Sequence, residues 1–202
     1  MGNKRIPLEP DKMYHVYNHA NGSECLFRSE ENYHYFLKKY AQYIHPVAET
    51  FAYCLMPNHF HLLIRIRPAA ELLKLTKNPP GFENLAGLVS RQFSHFFNAY
   101  AKAFNKQYNR RGGLFIDDAQ RKLIDREDYY TKLIQYIHGN PVHHGFVPHP
   151  ADWRHSSYNA LVSTKNTLLP RLEILDWFGG LSAFRQFHEQ NLDKVIFTDL
   201  KF

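Results

Sequence analysis

The chain has 202 residues, 44% of them hydrophobic and 15% aromatic with 16 Phe and 13 Tyr, a composition that excludes a disordered or low-complexity protein. Its 25 Lys and Arg outnumber 19 Asp and Glu, and the formal charge of +6 allows an anionic partner without identifying one. Two cysteines, a charged and proline-bearing start, and no apolar run near the roughly 18 residues of a spanning helix argue against a disulfide scaffold and a membrane protein; the expected setting is a reduced cytoplasm.

Met13-Tyr14-His15-Val16-Tyr17-Asn18, bounded by Asp11 and by Asn21-Gly22, is β-branched and aromatic and predicts a strand. Ser29, followed by Glu30 and Glu31, is an N-cap with an acidic first turn. Tyr33, Phe36, Leu37, Tyr40 and Ile44 then recur at helical spacing, which predicts a helix over 29–45 that stops at Pro46. Residues 47–56 and 59–66 are apolar-rich runs joined by Pro57-Asn58, the pattern of an antiparallel hairpin. Pro68, Pro79, Pro80 and Gly81 predict a loop over 68–82 holding a short helix at 70–75. Leu85, Leu88, Val89, Phe93, Phe96, Phe97 and Tyr100 predict a helix over 84–105. Residues 114–116 and 122–124 predict a broken strand, and Asp125 with Asp128 opens a helix that Pro141 stops. After Tyr158 a turn-rich stretch leads to a last amphipathic helix at 182–191.

The order strand, helix, two strands, helix, strand, helix predicts an α+β fold: a ferredoxin-like sandwich, with an antiparallel sheet, helices packed on it and a C-terminal helical extension. The expected division is a main domain over 1–158 and an extension over 159–202.

The strongest local signal is Met56-Pro57-Asn58-His59-Phe60-His61-Leu62-Leu63-Ile64. On a strand, residues two apart share a face, so His59 and His61 can aim at one point while Phe60 turns away. The pair is either half of a metal site or two buried or surface histidines. The second signal is Tyr136-Ile137-His138-Gly139-Asn140, where residues four apart on a helix let Tyr136 and Asn140 face the sheet together. A tyrosine with its ring in the core fits the same pattern.

Together these segments, with Tyr14-His15-Val16-Tyr17-Asn18, the Asn32-Tyr33 helix, the preceding Ala52-Tyr53-Cys54-Leu55 and the later Ser156-Ser157-Tyr158, resemble the REP-associated tyrosine transposases, a group of the single-tyrosine HUH transposases. The resemblance covers roughly residues 12–158. It implies that Tyr136 is the nucleophile, that His59, His61 and Asn140 hold a divalent metal, Mg²⁺ or Mn²⁺, and that single-stranded DNA bearing a hairpin is cleaved through a 5′-phosphotyrosine link. Imidazole ligands alone would equally permit Zn²⁺. A nucleoid-associated location and a homodimer as one assembly option also follow from the resemblance, with the tyrosine supplied in cis or in trans.

Residues 91–111 carry Arg91, Lys102, Lys106, Arg110 and Arg111 and no acidic residue, interleaved with six aromatic rings. Cations for phosphate and rings for bases are what single-strand binding needs; an amphipathic helix with a solvated basic face is the alternative. Arg65, on the strand of the histidine pair, is a further candidate for phosphate, and the resemblance adds Asn18, Arg121 and Lys122. The chain departs from the family pattern in having His19 where many members carry Arg, and Ile116-Asp117-Asp118-Ala119 where they carry a Gln/Arg/Lys-bearing segment. Adjacent carboxylates repel phosphate, which puts a DNA contact there in doubt; Asp117 or Asp118 approaching the metal is the other option. The leading expectation is thus a metal-dependent DNA strand transferase. Its rivals are a DNA-binding protein of the same fold without turnover, and a zinc hydrolase using the histidine pair.

Overall fold

The computed structural model describes residues 6–75, 84–116 and 119–190. Four strands, β1 (Met13–His19), β2 (Ala48–Met56), β3 (His59–Ile66) and β4 (Gln120–Ile124), form one antiparallel sheet in the order β2-β3-β1-β4. Helix α1 (Glu30–Tyr43) joins β1 to β2, and α2 (Ala69–Leu73) and α3 (Leu85–Gln107) lie between β3 and β4. Helix α4 (Tyr130–His143) follows β4, and α5 (Tyr158–Val162), α6 (Arg171–Trp177) and α7 (Leu181–Glu189) form a C-terminal helical region. This is the ferredoxin-like plan expected from the element order.

Strand alternation sorts the side chains into two cores. Tyr14 and Val16 of β1 and Phe60, Leu62, Ile64 and Ile66 of β3 pack under α1 and α3 with Phe36, Phe96 and Tyr100. Each such ring buried contributes about 1.5–3 kcal/mol by removal from water. Met13 and Leu63 face the other way, into a second core with Leu133, Ile134 and Ile137 of α4 and Tyr158, Leu161, Ile174 and Phe184 of the C-terminal region. A register shift between Thr50 and Ala52 turns both Phe51 and Ala52 into that second core, while Thr50 meets the Tyr40 hydroxyl at 2.7 Å.

The Pro57-Asn58 turn is clamped from the segment after β1. The Ala20 N–H donates to the Asn58 carbonyl, and the Leu26 and Phe27 N–H groups to the Pro57 carbonyl. The tip that leads into His59 is thereby fixed. The outer edge of β2 is covered by residues 153–157: Leu55 N–H donates to the His155 carbonyl, Ser157 N–H to the Tyr53 carbonyl and Trp153 Nε1 to the Leu55 carbonyl. Ser156-Ser157-Tyr158 thus protects an edge strand and starts α5.

Two boundaries differ from expectation. Asp125 does not open α4: Asp128 is held by the Arg126 guanidinium, a 3₁₀ turn spans Glu127–Tyr129, and the α-helix begins at Tyr130. Pro141 does not end it. A proline in the last turn forfeits a single backbone bond, and the helix runs on to His143, where Gly145 at φ 70° lets the Gly145 N–H reach the Val142 carbonyl and the Phe146 N–H the Pro141 carbonyl. The stop signal is the glycine. The broken strand is β4 plus a single bridge between Phe115 and Ala20, while Pro79, Pro80, Gly81, Asp117, Asp118 and Asn191 fall outside the described residues.

Candidate active site

The second face of the sheet carries an unusual imidazole cluster at the turn end of β3. Register sets Tyr17 opposite His61 and His19 opposite His59, and alternation turns all four, with His15, toward α4. From above, Tyr136, Asn140 and His144 descend at four-residue intervals along one side of the α4 end. The His59 and His61 rings are 5.2 Å apart and nearly perpendicular, and the Tyr136 ring is 5.5 Å from His61. His19 stacks on His59 at 4.7 Å, and His144 meets His59 edge-on at 5.2 Å. The tyrosine therefore lies beside the histidine pair of its own chain.

Burial governs the protonation of this cluster. Loss of solvent pushes His59 and His15 down to about 3 and His61 well below its ordinary value, with neighbouring imidazoles adding to the effect at His59 and His61 and Lys122 at His15. All three rings are neutral at neutral pH and keep a lone pair each. His59 Nδ1 is 2.8 Å from Asn58 Oδ1, so it donates there and leaves Nε2 as its lone-pair nitrogen. His61 Nδ1 is 3.0 Å from His15 Nε2. Burial raises the Tyr136 phenol to about 12, opposed by a hydrogen bond with the Asn140 side chain, which also opposes burial at His59. Asn140 Nδ2 also donates to the Tyr136 carbonyl. Among the described residues no three His, Cys, Asp or Glu side chains are arranged to hold a metal.

The other expected contact residues divide. Lys122 is exposed on the histidine face of the edge strand β4, paired with His15. Asn18 and Arg121 point to the opposite face, toward α3. Arg65 lies on the histidine face, but its guanidinium binds Glu49 and Glu173 and covers Phe51, so the expected phosphate contact gives way to an ion-pair bridge between β2 and α6. Arg110 is likewise taken by Glu24, Asn105 and the Gly113 carbonyl. Arg91, Lys102, Lys106 and Arg111 are exposed, on or just after a helix that packs on the sheet face away from the histidines; the expected strand path over α3 and the histidine pair does not close on one face. Phe93, Phe96, Tyr100 and Phe104 are buried, so those rings fill the core rather than await bases.

His15, Tyr17, His19 and His144 join the cluster beyond the residues expected to carry the chemistry. The first three were present as an every-second-residue set in β1, legible once the strand's inner face is known. His144 was hidden by the assumption that Pro141 ends the helix.

No family profile matches the chain. Over 134 residues, 65% of this chain and 68% of the relative, it is 29% identical to a Haemophilus influenzae protein whose name marks it as a candidate REP-associated tyrosine transposase. Its fold is similar to that of a solved REP-associated tyrosine transposase bound to a REP hairpin, with a TM-score of 0.56 and 16% identity over 81% of this chain and 87% of that one. The resemblance carried by the histidine, tyrosine and asparagine motifs is thus met in sequence by one comparison and in fold by the other.

Proposed function

We propose that this chain is a metal-dependent endonuclease and strand transferase of the REP-associated tyrosine transposase type, acting on single-stranded DNA that bears a hairpin. The observation that carries the reading is Tyr136 at 5.5 Å from His61 within one chain, with Asn140 one helical turn on and its Nδ2 donating to the Tyr136 carbonyl. His59 and His61 would hold Mg²⁺ or Mn²⁺ with the Asn140 oxygen, which fits the donor set: two imidazoles kept neutral by burial, one with Nε2 identified as its lone-pair nitrogen, and an amide. When bound, the cation would neutralise and orient a scissile phosphate and favour the phenolate.

The chain's own residues supply the rest. Tyr136 Oη forms a bond to phosphorus, the bond from phosphorus to the 3′ oxygen breaks, the phenol proton is lost to solvent and the leaving 3′ oxygen takes one up. The phosphodiester is exchanged for a phosphotyrosine ester, so a later 3′-OH can reverse the step without ATP. Burial of Tyr136 and Asn140 on α4 restricts competing water at the phenol.

Incubation with a hairpin-bearing single strand and Mn²⁺ should give a protein–DNA adduct that survives denaturation and is absent with a chelator. Salt-sensitive binding with no adduct in any divalent cation would replace this reading with that of a binding protein.

A further inference from the structure

On the sheet face away from the histidines, α3 leaves a gap above β1 and β4. The α3 residues over it are Ser90, Ser94, Asn98 and Ala101, spaced at three to four residues and too small to fill the space that Phe96 and Tyr100 fill on the neighbouring stripe. The result is a cavity of about 260 Å³ floored by Val16, Asn18 and Arg121 and walled by Phe97 and Phe115, whose rings lie 5.2 Å apart edge to face. We infer that this cavity binds one unstacked nucleobase of the same DNA strand whose phosphate reaches the histidine face; the inference rests on the proposed function.

Size comes first. The cavity is smaller than the roughly 300–1,000 Å³ of sites for drug-sized ligands, and so suits a single planar base rather than a base pair or a peptide. Chemistry is second. Half-buried aromatic walls offer stacking, while an amide, hydroxyls and a guanidinium offer the mixed donors and acceptors of a base edge; among the described residues lining the cavity none is a carboxylate. Arg121 already reaches the Ser90 hydroxyl at 3.3 Å, which points its guanidinium under α3. Asn18 is 4% exposed, and its Oδ1 accepts from the His19 N–H at 2.8 Å, so the amide is oriented by the backbone of a residue that stacks on His59.

Connectivity is third. β4 is the sheet edge, and its successive residues Arg121 and Lys122 point to opposite faces. A single strand passing over that edge would meet Lys122 on the histidine side and Arg121 on the cavity side. Asn18 and Arg121, which the metal face does not use, thereby acquire a specificity role: one base position is read by insertion, at a distance from the cleaved bond.

The test is an abasic scan of a hairpin-bearing single strand, with binding measured at fixed salt. In the wild type one position should weaken binding at least about fivefold when its base is removed, the loss expected for one stacked base. Ser94→Phe, an exposed helix position that points a ring into the cavity, should bind the intact strand as weakly as that abasic strand and show no further loss. Arg121→Ala should reduce the same positional effect, and unchanged thermal unfolding identifies both variants as folded. A scan with no such position, or one whose sensitive position is unaltered by Ser94→Phe, overturns the inference while adduct formation on Tyr136 would leave the proposed function standing. Absence of salt-dependent DNA binding by the wild type overturns both.

Discussion

His15 Nε2 sits 3.0 Å from His61 Nδ1, between two rings with no access to solvent water. One nitrogen of the pair must carry the proton. If His61 Nδ1 donates, its Nε2 keeps the lone pair that a cation needs; if His15 donates, His61 Nε2 is protonated and cannot ligate. On the proposed function, His15 would be a positioning residue that selects the ligating tautomer of His61. Losing such a partner costs roughly 10–100-fold in metal affinity. We expect His15→Leu to weaken Mn²⁺ binding by calorimetry about tenfold or more, and His15→Gln, which retains an acceptor, to recover most of it at comparable thermal stability. Equal Mn²⁺ affinity in the Leu variant would remove this role.

A second buried chain ties the C-terminal region to α4. Phe184 accepts from His188 Nδ1, His188 Nε2 is 2.9 Å from His138 Nδ1, and His138 Nε2 is 2.7 Å from the Ser157 hydroxyl. Burial lowers His188 to about 4, against an ordinary value of 6.5. The unfolded chain takes up this proton below about 6.5, whereas the fold resists it until about 4. The stability from neutral His188 is therefore complete above 6.5 and is lost between those values as pH falls. Other buried histidines act in the same direction, so the comparison is between variants: urea midpoints from pH 7 to 4.5 should fall less steeply in His188→Gln than in the wild type. Ser157→Ala, which strands a buried imidazole nitrogen and the Tyr53 N–H, should cost about 1–3 kcal/mol at pH 7.

Arg65 and Lys122 share the histidine face but have different partners, and salt dependence separates them. Arg65 bridges Glu49 and Glu173 with about a third of each side chain exposed, so Arg65→Gln should cost no more than about 1 kcal/mol of stability and leave the salt slope of DNA binding unchanged. Lys122→Ala should lower that slope by about 0.7, the value for one phosphate of a single strand, with little effect on unfolding. A reduced slope in Arg65→Gln instead would show that the bridge opens to DNA.

The sandwich and the His59/His61 pair were legible because both depend on local periodicity: alternation in β3 turns the histidines to one side and Phe60 to the other whatever the partner strands are. Asn140 could be placed beside Tyr136 from helical spacing. What sequence could not show was which sheet face each helix covers. Residues 84–105 and 130–143 are both amphipathic, yet α3 covers the Phe60 face and α4 the His61 face, and this assignment alone separates the basic stretch from the histidines. The fate of Arg65 and Arg110 was equally hidden, since Glu173 is 108 residues from Arg65 and Glu24 is 86 from Arg110.

Two tyrosines flank His61: Tyr136 from α4 at 5.5 Å and Tyr17 from β1 at 6.0 Å. Tyr136 is the nearer ring and lies one helical turn before Asn140, whose Nδ2 donates to its carbonyl, and the account rests on that placement. The most direct measurement is peptide mapping of the adduct formed with a 5′-extended hairpin strand and Mn²⁺, made on the wild type, Tyr136→Phe and Tyr17→Phe. The account predicts a nucleotide-bearing peptide containing Tyr136, no adduct in Tyr136→Phe, and an adduct retained in Tyr17→Phe. An adduct that persists in Tyr136→Phe, or that maps to Tyr17, would contradict it.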